Sequence, residues 1–315
     1  LRKLLPEQVE LISGPGCPVC VTQVGFIDEA IYLALERQVT ICTFGDLVRV
    51  PGTNMSLAGA REKGAKIRIV YSPVDAKEYA KEHPKEQVTF LSVGFETTTP
   101  SACLSVKKAR EEGLTNYSIL TANKTMPQAY EALKGSADIF LYPGHVNAIT
   151  GTKLCEELAK EGVSGVVAGF TAKELLTALA VALARFQEGR PFFVNCYPRV
   201  VTENGSPQAQ KLVEEMMEPC DSEWRGLGVI KGSGMRLQEE WSAFDARKKY
   251  KIPPIQGKAN PACRCGDVLQ GKCKPSDCKV FGKVCTPQHP VGACMVSGEG
   301  ACSAYYMYGE AEKMK

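Results

Sequence analysis

Two cysteines separated by two residues, Cys17 and Cys20, are the first side chains in this sequence whose type and spacing suggest a chemical role. They lie in Gly14–Thr22, GPGCPVCVT. A C-x-x-C pair can be a redox dithiol, half of a zinc site or a structural coincidence. No second C-x-x-C pair is present to complete a zinc site. A position just before a helix lowers the pKa of a thiol and favours the reactive thiolate. We therefore expect a redox dithiol at this position.

A second group of thiols lies near the carboxyl end of the chain. Seven of the fourteen cysteines fall there: Cys263, Cys265, Cys273, Cys278, Cys285, Cys294 and Cys302. Thiolates are soft ligands that suit iron–sulfur clusters and zinc, and the spacing matches neither a zinc ribbon nor a bacterial ferredoxin run. Structural zinc and disulfides remain alternatives. We expect an iron–sulfur cluster, because a loop-rich tail can surround a cubane with widely spaced thiols, and a reducing, cytoplasmic location.

A polar loop with a carboxylate and neighbouring hydroxyls follows an apolar run at Gly94–Pro100, GFETTTP. Glu96, Thr97 and Thr98 are its candidate functional side chains. The alternative is an ordinary helix start, with a threonine cap and Glu96 at the positive end of the helix dipole.

A histidine and a lysine also follow predicted strands. His145 lies in the loop YPGHV, where a hydrogen-bond donor or a base is useful at the edge of a sheet, although a structural role is the alternative. Lys124 could bind an anion, but we expect a solvated side chain. Neither a Walker A motif nor a G-x-G-x-x-G helix start is present, so a nucleotide site has little support.

The segments that must position these residues alternate between strand and helix patterns. The predicted strands are Val9–Ser13, Val39–Thr43, Ile67–Tyr71, Val88–Val93, Tyr117–Thr121, Ile139–Tyr142 and Gly165–Ala168. The predicted helices are Val24–Leu35, Ser56–Lys63, Pro73–Glu82, Pro100–Glu112, Pro127–Leu133, Lys153–Glu161, Lys173–Gln187, Pro207–Met217 and Trp241–Tyr250. Such alternation predicts parallel sheets with crossover helices, and ligands collect at the carboxyl edge of such sheets.

The pattern predicts two Rossmann-like α/β domains that face a cleft, followed by a small loop-rich iron–sulfur domain. We place the first domain at residues 1–85, the second at 86–225 and the third at 226–315. Residues 226–260 either belong to the third domain or pack on the first. A cysteine-rich tail of this composition buries little apolar area by itself, so an inorganic group is expected to stabilise it.

The bulk composition narrows the functional classes. The chain has 315 residues, 44% of them hydrophobic, and a net charge of +3. This small charge imbalance gives no argument for binding nucleic acid or an anionic membrane. No apolar run approaches the ~20 residues of a membrane span.

Four motifs, in order along nearly the whole chain, resemble the HypD family of hydrogenase maturation factors. They are GPGCPVCVT at Gly14–Thr22, GFETTTP at Gly94–Pro100, YPGHV at Tyr142–Val146 and KVCTPQHPVGACMVSGEGACSAYY at Lys283–Tyr306. The resemblance implies a scaffold that helps to build the Fe(CN)2CO group of nickel–iron hydrogenases. It also implies a HypC-type chaperone and a HypE-type cyanide donor as partners, and a 4Fe–4S cluster in the carboxy-terminal domain.

The resemblance assigns roles to individual positions. Cys17 and Cys20 match the redox-active pair of the family. The cluster ligands match Cys263, Cys278, Cys285 and Cys302, with Cys265 as an alternative to Cys263, whereas Cys273 and Cys294 have no assigned role. Glu96, Thr97, Thr98 and His145 match residues of the central cleft.

One family motif is absent, a C-G-T-H sequence whose cysteine helps to hold the iron. We expect it in a segment that precedes Leu1. By resemblance, the cluster would pass electrons to Cys17 and Cys20, and cleft residues would hydrogen-bond to cyanide. The alternative function is an iron–sulfur-dependent thiol–disulfide oxidoreductase.

Overall fold

A computed structural model describes residues 5–309 of the protein. Its first sheet contains four parallel strands in the order β2–β1–β3–β4: β1 (Thr40–Thr43), β2 (Ile67–Ile69), β3 (Val88–Gly94) and β4 (Tyr117–Asn123). Every residue of β1, β3 and β4 is buried. Burial on both faces is typical of parallel sheets that are covered by crossover helices.

The second sheet has three parallel strands in chain order, β5 (Phe140–Pro143), β6 (Gly165–Ala168) and β7 (Phe193–Asn195). An antiparallel hairpin follows, β8 (Met217–Trp224) and β9 (Gly228–Leu237). The predicted α/β class with two Rossmann-like units and a cysteine-rich carboxy-terminal region is therefore confirmed.

Helices of very different length connect and cover these strands. They are α1 (Pro18–Val21), α2 (Val24–Glu36), α3 (Leu57–Glu62), α4 (Pro73–Glu82), α5 (Thr99–Glu111), α6 (Met126–Ala132), α7 (Gly144–Thr150), α8 (Lys153–Lys160), α9 (Ala172–Phe186), α10 (Pro207–Met216), α11 (Ala246–Lys249), α12 (Cys265–Leu269) and α13 (Ala301–Tyr308). Short 3-10 helices lie at Gly45–Arg49, Glu239–Phe244, Pro275–Asp277 and Ala293–Met295. Within residues 5–309, none of the helices combines the length and apolar character needed to span a bilayer.

Local capping signals explain why several predicted helices begin where they do. Ser56 caps α3 by accepting a hydrogen bond from the amide of Gly59 at 3.3 Å, as predicted. Ser72 and Asp75 form a capping box at the start of α4, where Pro73 occupies the first turn. Each cap satisfies amide groups that a helix leaves unpaired at its amino end.

The first sheet crosses the boundary that we expected between residues 85 and 86. Strand β3 pairs with β1 on one side, with Val88 opposite Thr40, and with β4 on the other. The strands up to Asn123 therefore share one sheet, because their hydrogen bonds are made with one another. Residues 1–4 and 310–315 of the expected first and third domains lie outside the described residues.

Three segments differ from their predicted structure. Residues 9–13 are irregular rather than a strand, and Ile12 is 44% exposed. The glycine-rich segment 226–234 contributes to the β8–β9 hairpin, and β9 meets β4 where Lys124 bridges Gly234. The predicted helix at 241–250 is divided, because Asp245 ends a 3-10 helix and caps α11.

Candidate functional site

The dithiol lies in a tight, buried turn. Cys17 is the cap of α1 and Pro18 follows in its first turn, as predicted. The sulfur of Cys20 lies 2.6 Å from that of Cys17, and the amide of Cys20 donates to the same sulfur at 3.3 Å. Thr22 closes the turn through a 2.8 Å hydrogen bond from its hydroxyl to the carbonyl of Pro18. The sulfur of Cys17 therefore accepts two hydrogen bonds, both from Cys20.

The prediction that this position lowers the thiol pKa is wrong for Cys20. The hydrogen bond that Cys20 makes with Cys17 raises its pKa well above the usual value, and burial acts in the same direction. A contact with Cys294 partly opposes this shift. Helix α1 has only four residues, so its dipole is too small to offset desolvation.

The turn continues into a chain of neighbouring thiols in the carboxy-terminal tail. Cys20 is a hydrogen-bond neighbour of Cys294, and Cys294 is a neighbour of Cys265. Cys265 in turn contacts Cys302 and lies 3.1 Å from Cys263, measured between sulfurs. These thiols come from sequence positions up to 285 residues apart. They form a buried path from the dithiol to two of the predicted cluster ligands.

The other two predicted ligands lie around the same part of the tail. Cys285 accepts a hydrogen bond from the amide of Val291 at 3.4 Å and is electrostatically coupled to Cys263. The sulfur of Cys278 lies 3.8 Å from the carbonyl of Ala262, the residue before Cys263. All fourteen cysteines, which fall within residues 5–309, are free.

Gly292 allows two sulfur atoms of the tail to pack close to the backbone. A Cβ atom on Gly292 would lie 2.3 Å from the sulfur of Cys263 and 2.7 Å from that of Cys265. Glycine at this position therefore leaves room that any other side chain would fill. Thiols that are buried and receive amide hydrogen bonds suit an iron–sulfur cluster, whose potential depends on such hydrogen bonds.

The described His, Cys, Asp and Glu side chains nowhere converge in threes around the position of a single metal ion. A single tetrahedral ion such as zinc needs its ligands to converge in this way. A cubane differs, because each of its thiolates binds a different iron atom and the ligands stand further apart. The cysteine-rich donor set of the tail is compatible with an iron–sulfur cluster.

The carboxyl group of Glu96 is a second buried ionisable group, although the residue as a whole is half-buried. Its Oε1 atom accepts a hydrogen bond from the amide of Met126 at 2.8 Å, whereas its Oε2 atom is buried without a partner among the described residues. Burial raises the pKa of this carboxyl to about 7. The hydroxyl of Tyr130, which is electrostatically coupled to Glu96, is also buried and unpartnered within the described chain. Glu96 can therefore hold or release a proton near neutral pH.

The remaining predicted residues are more accessible. Thr97 and Thr98 are half-buried at the start of α5, and Thr98 occupies the cap position without a side-chain capping bond. His145 lies on α7 with part of its surface exposed, and its ring is 5.1 Å from that of Phe170. Burial lowers the pKa of His145, and Glu299 acts in the opposite direction. No hydrogen bond joins His145 to a cysteine among residues 5–309.

Two important side chains were not predicted. Lys124 is buried rather than solvated, with its Nζ atom 2.6 Å from the hydroxyl of Ser222 and 2.7 Å from the carbonyl of Glu223. Burial lowers its pKa to about 7. Arg225 is buried beside the thiol chain. The sequence signal for Arg225 was weak, since a single arginine before glycine is usually a surface residue.

Comparison with known proteins supports the family resemblance. The profile of a family named HypD and described as hydrogenase formation hypA family matches residues 1–309. The hydrogenase maturation factor HypD of Cupriavidus necator is 42% identical over 98% of this chain and 85% of its own length. That of Rhizobium leguminosarum is 43% identical over 98% and 84%, and that of Escherichia coli 42% identical over 99% and 85%. The chain therefore belongs to the HypD family of hydrogenase maturation factors.

Proposed function

We propose that this protein is a redox-active scaffold for the assembly of the Fe(CN)2CO group of nickel–iron hydrogenases. The observation that carries the proposal is the unbroken series of thiol contacts from Cys17 and Cys20 to the tail cysteines. A scaffold that only positioned iron would have no use for such a path. A path of thiols supplies electrons to whatever is assembled beside the dithiol.

Four tail cysteines are the proposed cluster ligands: Cys263, Cys278, Cys285 and Cys302. A 4Fe–4S cluster held there would supply electrons one at a time at low potential. Cys265 is then free to exchange disulfides rather than bind iron, because it lies between the ligands and Cys294.

The order of the thiols defines the exchange steps. The thiolate of Cys294 attacks the Cys20 sulfur of a Cys17–Cys20 disulfide, and Cys17 leaves as a thiolate that takes a proton. Cys265 then loses its proton and attacks Cys294, which forms a Cys265–Cys294 disulfide and releases Cys20, which is protonated in turn. Two electrons and two protons thereby move to the Cys17–Cys20 pair. A cluster held by the tail cysteines would supply electrons for reducing Cys265–Cys294 again, with two protons taken from solvent.

The polar residues of the cleft have proposed roles in proton and ligand binding. Glu96 exchanges a proton near neutral pH, because its pKa is raised to about 7. The hydroxyls of Thr97 and Thr98 and the accessible ring of His145 donate hydrogen bonds to cyanide on the iron. The iron group is cargo in this scheme, carried in complex with a HypC-type chaperone and supplied with cyanide by a HypE-type donor. The free thiols fit a reducing, cytoplasmic compartment.

The test compares Cys17→Ala with Cys103→Ala in cells that lack their own copy of the protein. Cys103 is also buried, but it lies in a separate core cluster. We expect Cys17→Ala to abolish hydrogenase maturation and Cys103→Ala to preserve it. Infrared bands of bound cyanide and carbon monoxide on the purified complex give a second readout. Full maturation by the Cys17→Ala variant would refute the redox role.

The same thiol chain also favours a second function, a thiol–disulfide oxidoreductase that reduces a protein disulfide. This function predicts turnover of a disulfide substrate by the purified chain without partners or cargo iron. Anaerobic purification with metal analysis distinguishes both proposals from a zinc-stabilised module. Iron and sulfide with visible absorption are expected, and a colourless protein with zinc would contradict both.

A further inference from the structure

Arg225 is a buried positive charge without a carboxylate partner among the described residues. The residue is 9% exposed, and its guanidinium makes no ion pair within residues 5–309. Its side-chain hydrogen bonds go to carbonyl groups instead, from Nε to Thr22 at 2.7 Å and from Nη2 to Pro51 at 3.5 Å. Burying an unpaired charge costs several kcal/mol, so a compensating negative charge is expected nearby.

The groups that face this charge are thiols. Arg225 is electrostatically coupled to Cys265, Cys263, Cys294 and Cys20. Around the dithiol, the 3-10 helix at Ala293–Met295 contributes only Cys294 as an ionisable group, and β3 contributes none. Among the described residues, the groups that oppose this positive charge are therefore sulfur atoms.

Arg225 also holds the dithiol turn against the tail. Its amide donates to the carbonyl of Val21 at 2.8 Å, next to the carbonyl of Thr22 that its side chain binds. The following residue, Gly226, approaches Gly266 so closely that a Cβ atom would lie 2.2 Å from its Cα atom. One short segment thus touches the end of the Cys17–Cys20 turn and the helix that begins at Cys265.

We propose that Arg225 is a positioning residue that stabilises the reduced, electron-rich form of the Cys17–Cys20 pair by its charge. This inference rests on the proposed redox function. Reduction of the disulfide releases negative charge on one of these two sulfurs. The sulfurs lie 2.6 Å apart, so that charge lies in the field of the same cation. The neutral disulfide gains nothing from that cation, and the charge therefore shifts the couple toward the dithiol.

The step to be measured is reduction of the pair by dithiothreitol. Two electrons from dithiothreitol break the Cys17–Cys20 bond, and a disulfide forms within the dithiothreitol ring. The two thiol protons of dithiothreitol pass to the protein pair or, for a sulfur that stays negatively charged, to solvent.

The test uses Arg225→Gln and Arg225→Lys in the full chain, prepared without metal. Both variants keep a donor for the carbonyl of Thr22, but only lysine keeps the positive charge. The oxidised fraction is measured at fixed ratios of oxidised to reduced dithiothreitol, by alkylation and mass spectrometry. The tryptic peptide of residues 4–37 contains Cys17 and Cys20 and no other cysteine, so it reports this pair alone.

We expect Arg225→Gln to shift the equilibrium about tenfold toward the disulfide, which is about 30 mV for a two-electron couple. Arg225→Lys should stay within about threefold of the original protein. Arg61→Met, which removes an exposed arginine that binds the carbonyl of Ile67, should have no effect.

An unchanged equilibrium in Arg225→Gln, or equal shifts in both variants, would overturn the proposed role of the charge. Either result would leave the redox function of the dithiol intact. If the original protein formed no Cys17–Cys20 disulfide at any ratio, the redox function itself would fail together with this inference. Should Arg225→Gln not fold, a tenfold shift in Arg225→Lys alone would still refute the role of the charge.

Discussion

Glu96 and Lys124 are buried at the ends of neighbouring strands, and burial opposes the charged form of each. Glu96 follows β3 and Lys124 follows β4. Desolvation raises the pKa of the acid and lowers that of the base, both to about 7. Perturbed groups of this kind collect at functional sites, and they also make stability depend on pH in opposite ways.

Glu96→Gln is expected to abolish the decline in the free energy of unfolding that the original protein shows between acid and neutral pH. The pKa of Glu96 is 4.5 in the usual case and about 7 in the folded protein. Between these values the unfolded chain releases a proton that the folded protein retains, so stability falls as pH rises. The full loss is about 3 kcal/mol. Urea unfolding from acid to neutral pH should show this decline in the original protein and in Glu131→Gln, but not in Glu96→Gln.

Lys124→Met is expected to change how the free energy of unfolding depends on pH above neutral pH. The pKa of Lys124 falls from 10.5 to about 7 on folding. Between these values the unfolded chain carries a proton that the folded protein has lost, so stability rises with pH. The same urea measurements above neutral pH should show a flatter curve for Lys124→Met than for Lys231→Met, which alters an exposed lysine. Parallel curves would contradict the lowered pKa.

At the scale of elements, the local part of the fold could be predicted from the sequence and the non-local part could not. Helix α4 was predicted to its ends because its early proline is a local signal. The hairpin β8–β9 was missed because its strands are rich in charge and glycine, and pairing alone holds them. Residues 9–13 look like a strand, but none of the described strands pairs with them.

Gly292→Ala tests how the tail elements assemble the cluster site. The new Cβ atom would overlap the sulfurs of Cys263 and Cys265, and overpacking of this kind costs about 1–3 kcal/mol. We expect iron to bind about tenfold more weakly on anaerobic reconstitution. Gly298→Ala is the matched control, because a Cβ atom there meets nothing within 4 Å. Equal iron content in both variants would place the cluster away from Gly292.

At the scale of the whole molecule, the candidate site exists only because the tail is docked on the first sheet. Cys17 and Cys20 could be recognised from their spacing. The contact of Cys20 with Cys294, and of Cys294 with Cys265, could not, because nothing in the local sequence links residues so far apart. The same holds for Arg225, whose importance depends on the four thiols that folding brings around it.

Arg49→Met tests this docking directly. Arg49 donates to the carbonyl of Pro287 at 2.7 Å and to that of Val296 at 3.3 Å, so it holds both sides of the segment that carries Cys294. Hydrogen bonds from a charged group contribute about 1.5–3 kcal/mol, and 1.4 kcal/mol corresponds to tenfold in an equilibrium constant. We therefore expect amide hydrogen exchange to accelerate about tenfold at residues 288–296, with β3 unchanged. Arg61→Met should leave both regions unchanged. Slow exchange at 288–296 in Arg49→Met would mean that the cysteines, rather than this arginine, hold the tail in place.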